Sequence, residues 1–259
     1  MAKHQHTAMQ KQPTATFVVW GINTLKKIME AISSLFSGGK RVLTIDALIV
    51  EAKRFCQQID NTPQEDLYGV TDGKAIGTKI EHKFQAFLSD RFEFSTGSSA
   101  KGLDLPSVDT DIKTTSITQP QSSCPFKDSK QKIFGLGYNL IVFVYDKHDD
   151  TEAKAGILHF VSCSFIDAKR TADYQTTTGL RAIIENNGNE DDIFAFLNDK
   201  NIPADEVTLA NMAKDILKNP PEIGYLTISN ALQWRLQYGR IVNLKEKVEG
   251  ITTIIQYEG

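Results

Sequence analysis

The segment Tyr138–Tyr145 (YNLIVFVY) is a continuous apolar run, bounded by Gly137 and by the charged stretch Asp146–Lys154. A strand with one wet face alternates apolar and polar residues, and a strand that does not alternate needs cover on both faces. Ile157–Phe165 (ILHFVSCSF) reads as the next strand, with Asp146–Lys154 as a charged turn between them. This pair confines the chain to a sheet enclosed by other layers. Helical patterns lie before and after it, so the expected fold class is α/β with a helical C-terminal part. A length of 259 residues suits one generous domain, or a domain with an appended subdomain.

The helices follow from spacing. Ile22, Leu25, Met29, Ile32 and Phe36 recur at three and four residues over 20–36, and Ser37-Gly38-Gly39 ends that pattern. Thr44 is the N-cap candidate of a second helix at 45–59. A third, at 75–91, carries Ile80, Phe84, Phe87 and Leu88. At about 100° per residue Glu81 falls within roughly 20° of Leu88, at the edge of that apolar stripe. Arg91–Thr96 reads as a short strand, and 126–135 as a helix of two to three turns. Beyond 166 the expected helices are 171–186, 190–199, 204–218 and 228–238, followed by a strand within 248–257. The helix at 228–238 would carry Gln233, Arg235 and Gln237, with Arg240 just beyond, on either a solvated face, a dimer surface or a DNA clasp.

Composition excludes several classes. No stretch is apolar enough to span a bilayer, since Lys26, Lys27 and Glu30 interrupt the best candidate, Thr16–Phe36. Cys56, Cys124 and Cys163 show no paired spacing, which argues against a disulfide framework or zinc site and fits a reducing cytoplasm. The loop Gly97–Gly102 lacks the spacing of a phosphate loop. A net charge of −3 does not mark a nucleic-acid binder, although local charge outweighs the total.

The chemistry concentrates in Lys101–Ser116. Asp104, Asp109, Asp111 and Lys113 lie within ten residues. From Val108 to Ile112 the pattern alternates, as in a half-buried strand. Val108, Thr110, Ile112 and Thr114 fall on one face, and Asp109, Asp111 and Lys113 on the other. So dense a charged face repels itself unless a cation or partner compensates it. Carboxylates and carbonyls are the donors that hard divalent cations such as Mg²⁺ take. Downstream, Ile117–Lys127 is rich in uncharged hydrogen-bonding side chains, the types that touch bases and phosphates. Lys127, Lys130, Gln131 and Lys132 follow as candidates for phosphate contacts.

Asp104 followed by Asp111-Ile112-Lys113 resembles the PD-(D/E)XK nuclease core, the fold of most type II restriction endonucleases. The order of elements over residues 75–165 (helix, three strands, helix, two strands) agrees with that family, and the resemblance implies a mixed central sheet flanked by helices. The chain departs from the motif in Leu103, which stands where the family often has Pro, and in a short six-residue spacer between Asp104 and Asp111. That spacer requires a tight turn, for which Pro106-Ser107 is suited. The resemblance implies a sequence-specific, Mg²⁺-dependent endonuclease cutting double-stranded DNA. In it, Asp104, Asp111 and the Ile112 carbonyl hold the metal, Lys113 serves the attacking water and the scissile phosphate, and Glu81 serves that water or a second metal. Asp109 is the rival for a ligand role.

DNA-contact candidates are Lys101, Ser116, Gln119, Gln121, Lys127, Lys130 and Gln131. Such enzymes act as homodimers in a prokaryotic cytoplasm, without a membrane or a small-molecule cofactor. The expected division is a tail at 1–15, a helical region at 16–74, the catalytic core at 75–165 and a C-terminal region at 166–259 for dimerisation or DNA clasping. Three alternatives stand beside this reading. One is a repair, recombination or modification-dependent nuclease of the same fold. Another is a non-catalytic DNA-binding module. The third is a Mg²⁺ enzyme acting on a small phosphorylated substrate.

Overall fold

The computed structural model describes residues 39–95, 102–124, 127–229 and 234–256. The helix expected at 20–36 lies outside them. The chain divides into two compact units, Met1–Val42 and Leu43–Gly259. In the first, only 39–42 are described, with Arg41–Val42 extended.

In the second unit, helix α1 (Ile45–Ile59) starts where Thr44 accepts a hydrogen bond from Ala47 N, satisfying one free amide of the first turn. Strand β1 (Pro63–Gln64) precedes helix α2 (Gly73–Ser89), which Asp72 caps through Lys74 N and Ala75 N. Strands β2 (Thr110–Ser116) and β3 (Gln121–Cys124) follow, then a single helical turn α3 (Gln131–Phe134). The long strands β4 (Asn139–Asp150) and β5 (Ala155–Ile166) come next. Helices α4 (Tyr174–Glu185), α5 (Glu190–Asp199) and α6 (Glu206–Lys218) lead to β6 (Thr227–Ile228) and β7 (Trp234–Gln237). A short turn α7 (Gly239–Val242) and β8 (Ile251–Gln256) close the described chain.

The main sheet runs β8-β5-β4-β2, and β1 pairs with β5. It is mixed: β2 and β4 are parallel, while β4–β5, β5–β8 and β1–β5 are antiparallel. The apolar run in β4 feeds two cores in alternation. Ile141, Phe143 and Tyr145 join α1 and α2 on one side. Leu140, Val142 and Val144 pack on the other with residues of a second sheet, ordered β3-β7-β6. On the α1/α2 side Phe55, Phe84, Phe143 and Phe160 form a chain of tilted and edge-on rings, with centroids 5.0 Å apart at Phe55–Phe84 and at Phe84–Phe143. These geometries suit aromatic quadrupoles. Helices α4–α6 and Ile133 build a third, smaller core.

Three expectations change. Asp146–Asp150 is not a turn but continues β4, pairing with β5 as far as Asp150–Ala155. There β4 has left the core, so its outward side chains are wet and charged. The helix expected at 126–135 shrinks to α3. The stretch expected to be helical at 228–238 contains the strand β7 and the last residue of β6. Trp234 and Leu236 are buried and Arg235 and Gln237 exposed, the two-residue period of a strand.

Candidate active site

Strand β2 is the edge of the main sheet, and the charged residues lie along it. Asn139 N donates to the Asp109 carbonyl on the β4 side, whereas Thr110 exchanges both backbone bonds with Leu105 on the other side. Backbone direction alternates, so Ile112 faces the outer edge like Thr110. Its N–H donates to Asp104 Oδ2 at 2.7 Å. A residue's carbonyl points to the same edge as its N–H, so the Ile112 carbonyl opens beside Asp104. The tight turn expected at Pro106-Ser107 is a 3₁₀ turn over Pro106–Val108, with proline at its first position. Asp109 ends it in the left-handed region, at φ 45°, and is exposed. It is the C-cap of that turn, immediately before β2.

Side chains of Asp111 and Lys113 share the sheet face of their parallel partners Leu140 and Val142. The second sheet covers that face, so β2 is closed in on both sides rather than half-buried, and Asp111 retains 5% exposure. Lys113 Nζ lies 2.5 Å from Asp111 Oδ2. Helix α2 approaches β2 at Gly77, beside Thr114. Glu81 stands one turn further along on the same helix face, half-buried, with its carboxyl hydrogen-bonded to that of Asp104.

The electrostatics follow from this crowding. Burial pushes the Asp111 carboxyl up to about 7; the Lys113 charge opposes this, and the neighbouring Asp104 adds to it. Burial likewise raises Glu81, its bond to Asp104 pulls down, and the Asp111 charge adds to the rise. Burial alone would lower the Lys113 ammonium. The charge of Asp111, its hydrogen bond and the charge of Asp104 outweigh burial, and Lys113 stays protonated. The result is a row of carboxyl groups that repel one another, with one fixed cation.

Among the described residues, no three His, Cys, Asp or Glu side chains converge as a closed metal cage. Two neighbouring carboxylates and an open carbonyl nevertheless fit Mg²⁺. That ion takes one or two carboxylates and completes its shell with waters and substrate phosphate.

The DNA-contact candidates scatter more widely. Lys101 lies outside the described residues. Ser116 bonds Thr118 through its hydroxyl at 2.8 Å, at the end of β2. Gln119 is exposed in the following turn, and Gln121 opens β3. Lys127 is exposed, and Lys130 pairs with Asp215 of α6 at 3.1 Å. Gln131 is spent internally, accepting from Lys127 N at 3.3 Å and donating to the Leu136 carbonyl at 3.0 Å.

Three residues the sequence did not single out complete the surroundings. Tyr138 Oη lies 3.7 Å from Cys124 Sγ, and both feel the Asp111 charge. Tyr238, fully buried, shares a 2.5 Å hydrogen bond with Ser122. No local motif marks Tyr238, because its partner is 116 positions away.

The sequence matches the family described as type II restriction enzyme NspV over residues 42–253. It is 52% identical over 213 residues to the type II restriction enzyme NspV of Nostoc sp. (strain ATCC 29411 / PCC 7524), covering 82% of this chain and 97% of that protein. No solved structure matches. No helix among the described residues is long and apolar enough to cross a membrane. A match across most of both chains, and across the whole carboxylate-bearing edge, makes this chain a member of the type II restriction enzyme NspV family.

Proposed function

We propose that the protein is a Mg²⁺-dependent, sequence-specific endonuclease that hydrolyses phosphodiester bonds in double-stranded DNA, with its active site on the outer edge of β2. The observation that carries this reading is that Asp104, held by the Ile112 N–H at the outer edge of β2, meets the covered Asp111–Lys113 pair beside Glu81. Asp104, Asp111 and the Ile112 carbonyl are the metal ligands. When bound, a divalent cation lowers the pKa of water and offsets charge on the scissile phosphate.

The protein's own groups do the rest. The Lys113 ammonium lies beside the place where charge builds up and stabilises it electrostatically, because a preorganised cation needs no rearrangement during the reaction. It also orients the attacking water. Glu81 accepts a hydrogen bond from that water or takes up its proton, a task suited to a carboxyl raised toward neutrality. Cover from the second sheet keeps bulk water away from Asp111 and Lys113 and strengthens these interactions.

Ser116, Gln119, Gln121, Lys127, Lys130 and Lys101 are proposed DNA contacts, whereas the Gln131 amide is already engaged by Lys127 N and the Leu136 carbonyl. The pair Lys130–Asp215 is exposed and weak enough to open for a phosphate. A homodimer matches a two-fold symmetric site, since protein symmetry mirrors that of the DNA. The test is incubation of the purified protein with unmodified plasmid and phage DNA, in Mg²⁺ and in EDTA. Discrete bands that need the cation are expected. A smear would remove sequence specificity, and absence of cleavage would remove the nuclease.

A further inference from the structure

The second sheet has one face in the core and one in solvent. Cys124, Trp234 and Leu236 point inward. On the outer face Gln121 stands opposite Gln237, Ser123 opposite Arg235, and Thr227 on the other flank of Gln237. Ser123, Arg235 and Gln237 are exposed, and Gln121 and Thr227 are half-buried. None of the three strands contains Asp or Glu. Among the described residues the Arg235 guanidinium has no ion-pair partner, so its donors remain available.

We propose that this face, with Arg235 and Gln237 at its centre, reads base edges in the major groove of the DNA substrate. The inference rests on the endonuclease reading above and assigns its specificity. Three observations carry it. The first is chemistry: Arg pairs with guanine O6 and N7, Gln with adenine N6 and N7, and Ser and Thr with either, while an acid-free face does not repel phosphate. The second is shape: the major groove admits a β-ribbon of two strands, and β3 and β7 form one across four residue pairs.

The third is attachment. Thr115, two residues beyond Lys113, holds the start of β3, accepting from Gln121 N at 3.1 Å and donating to its carbonyl at 3.0 Å. Tyr238 fixes the other strand, donating from its N–H to the Pro120 carbonyl at 2.8 Å and sharing a hydrogen bond with Ser122. A reading surface must be rigid relative to the reacting groups, and these bonds supply the rigidity.

The test begins by mapping the cleavage site on plasmid DNA. Binding in Ca²⁺ is then measured for wild type, Arg235→Ala, Arg235→Lys and Gln237→Ala on the mapped duplex and on duplexes with one base pair changed. Because both positions are exposed, unchanged melting temperatures serve as the folding control. Arg235→Ala is expected to lose ~10- to 100-fold affinity for the mapped site and to stop discriminating at one base pair. Arg235→Lys should show the same loss of discrimination, because an ammonium cannot replace the bidentate fork. Gln237→Ala should relax a different position. Equal weakening on every duplex would make Arg235 a phosphate contact and overturn the proposal, as would unchanged discrimination in all three variants. If wild type makes no discrete cuts to map, the endonuclease reading falls first and takes this one with it; if it cuts discretely but binds all duplexes alike, this proposal alone is overturned.

Discussion

Two buried aspartates show how this molecule separates structure from chemistry. Asp173 caps α4 with 4% exposure, and Asp111 sits in β2 with 5%. Asp173 receives hydrogen bonds from Thr176 N at 2.8 Å, Thr176 Oγ1 at 2.7 Å and Ile228 N at 2.8 Å. Those donors tie α4 to the strand that follows the helical part. Asp111 has Lys113 on one side and another carboxyl, Asp104, on the other. A structural carboxylate is surrounded by donors that the chain itself supplies. The carboxylates on β2 remain under-compensated, which suits a site completed by cation and substrate.

The largest effects expected come from substituting both aspartates in parallel. Asp111→Asn should lower cleavage by roughly 10³-fold or more, as loss of a preorganised charge does. Its melting temperature should move by only about 2–4 °C, because removal of a desolvated charge offsets loss of the Lys113 partner. Asp173→Ala should do the reverse. Stranding three buried donors costs about 3 kcal/mol, or roughly 6–12 °C, while cleavage per folded molecule holds. Equal losses of stability would erase the distinction.

Glu81→Gln sharpens the boundary of the site. A general base or water-binding group contributes ~10²-fold or more. Cleavage should fall by about that factor, with DNA binding in Ca²⁺ unchanged. If single-turnover cleavage holds, Glu81 is a helix-flank residue.

The pH dependence is smaller. Asp111 is raised from 3.8 to about 7, so the folded protein holds more protons than the unfolded chain between those values. Without a cation, stability from this group therefore falls as pH rises through that window. A divalent cation must displace the proton, so it binds more tightly above pH 7. Mg²⁺ or Ca²⁺ should raise the melting temperature more at pH 8 than at pH 6. Equal shifts at both values would place the cation elsewhere.

Legibility in the sequence divides along similar lines. The sequence pattern marked α1 and α5 closely, with Thr44 expected as the cap of α1, whereas α2 begins and ends earlier than the expected 75–91, because Asp72 accepts from Lys74 N and Ala75 N and starts the helix at Gly73. The carboxylate cluster proposed as the site was visible as a pattern, because Asp111 and Lys113 lie one strand period apart and Asp104 precedes them closely, across the Pro106–Val108 turn. The second sheet was not recognised. Trp234-Arg235-Leu236-Gln237 alternates apolar and polar over only four residues, too short a window to outweigh helix-favouring neighbours. Its pairing with Gln121–Cys124 is long-range, which local pattern does not encode. Burial of β2 on both faces was missed for the same reason, since the covering layer arrives from the far end of the chain.

The most direct test of the central claim is Lys113→Ala, assayed for cleavage in Mg²⁺ and for binding to the mapped duplex in Ca²⁺. The β2-edge account expects cleavage to disappear while specific binding persists within about threefold, since Lys113 acts on the reacting phosphate rather than on base readout. Cleavage at the wild-type rate by a folded Lys113→Ala protein would contradict it.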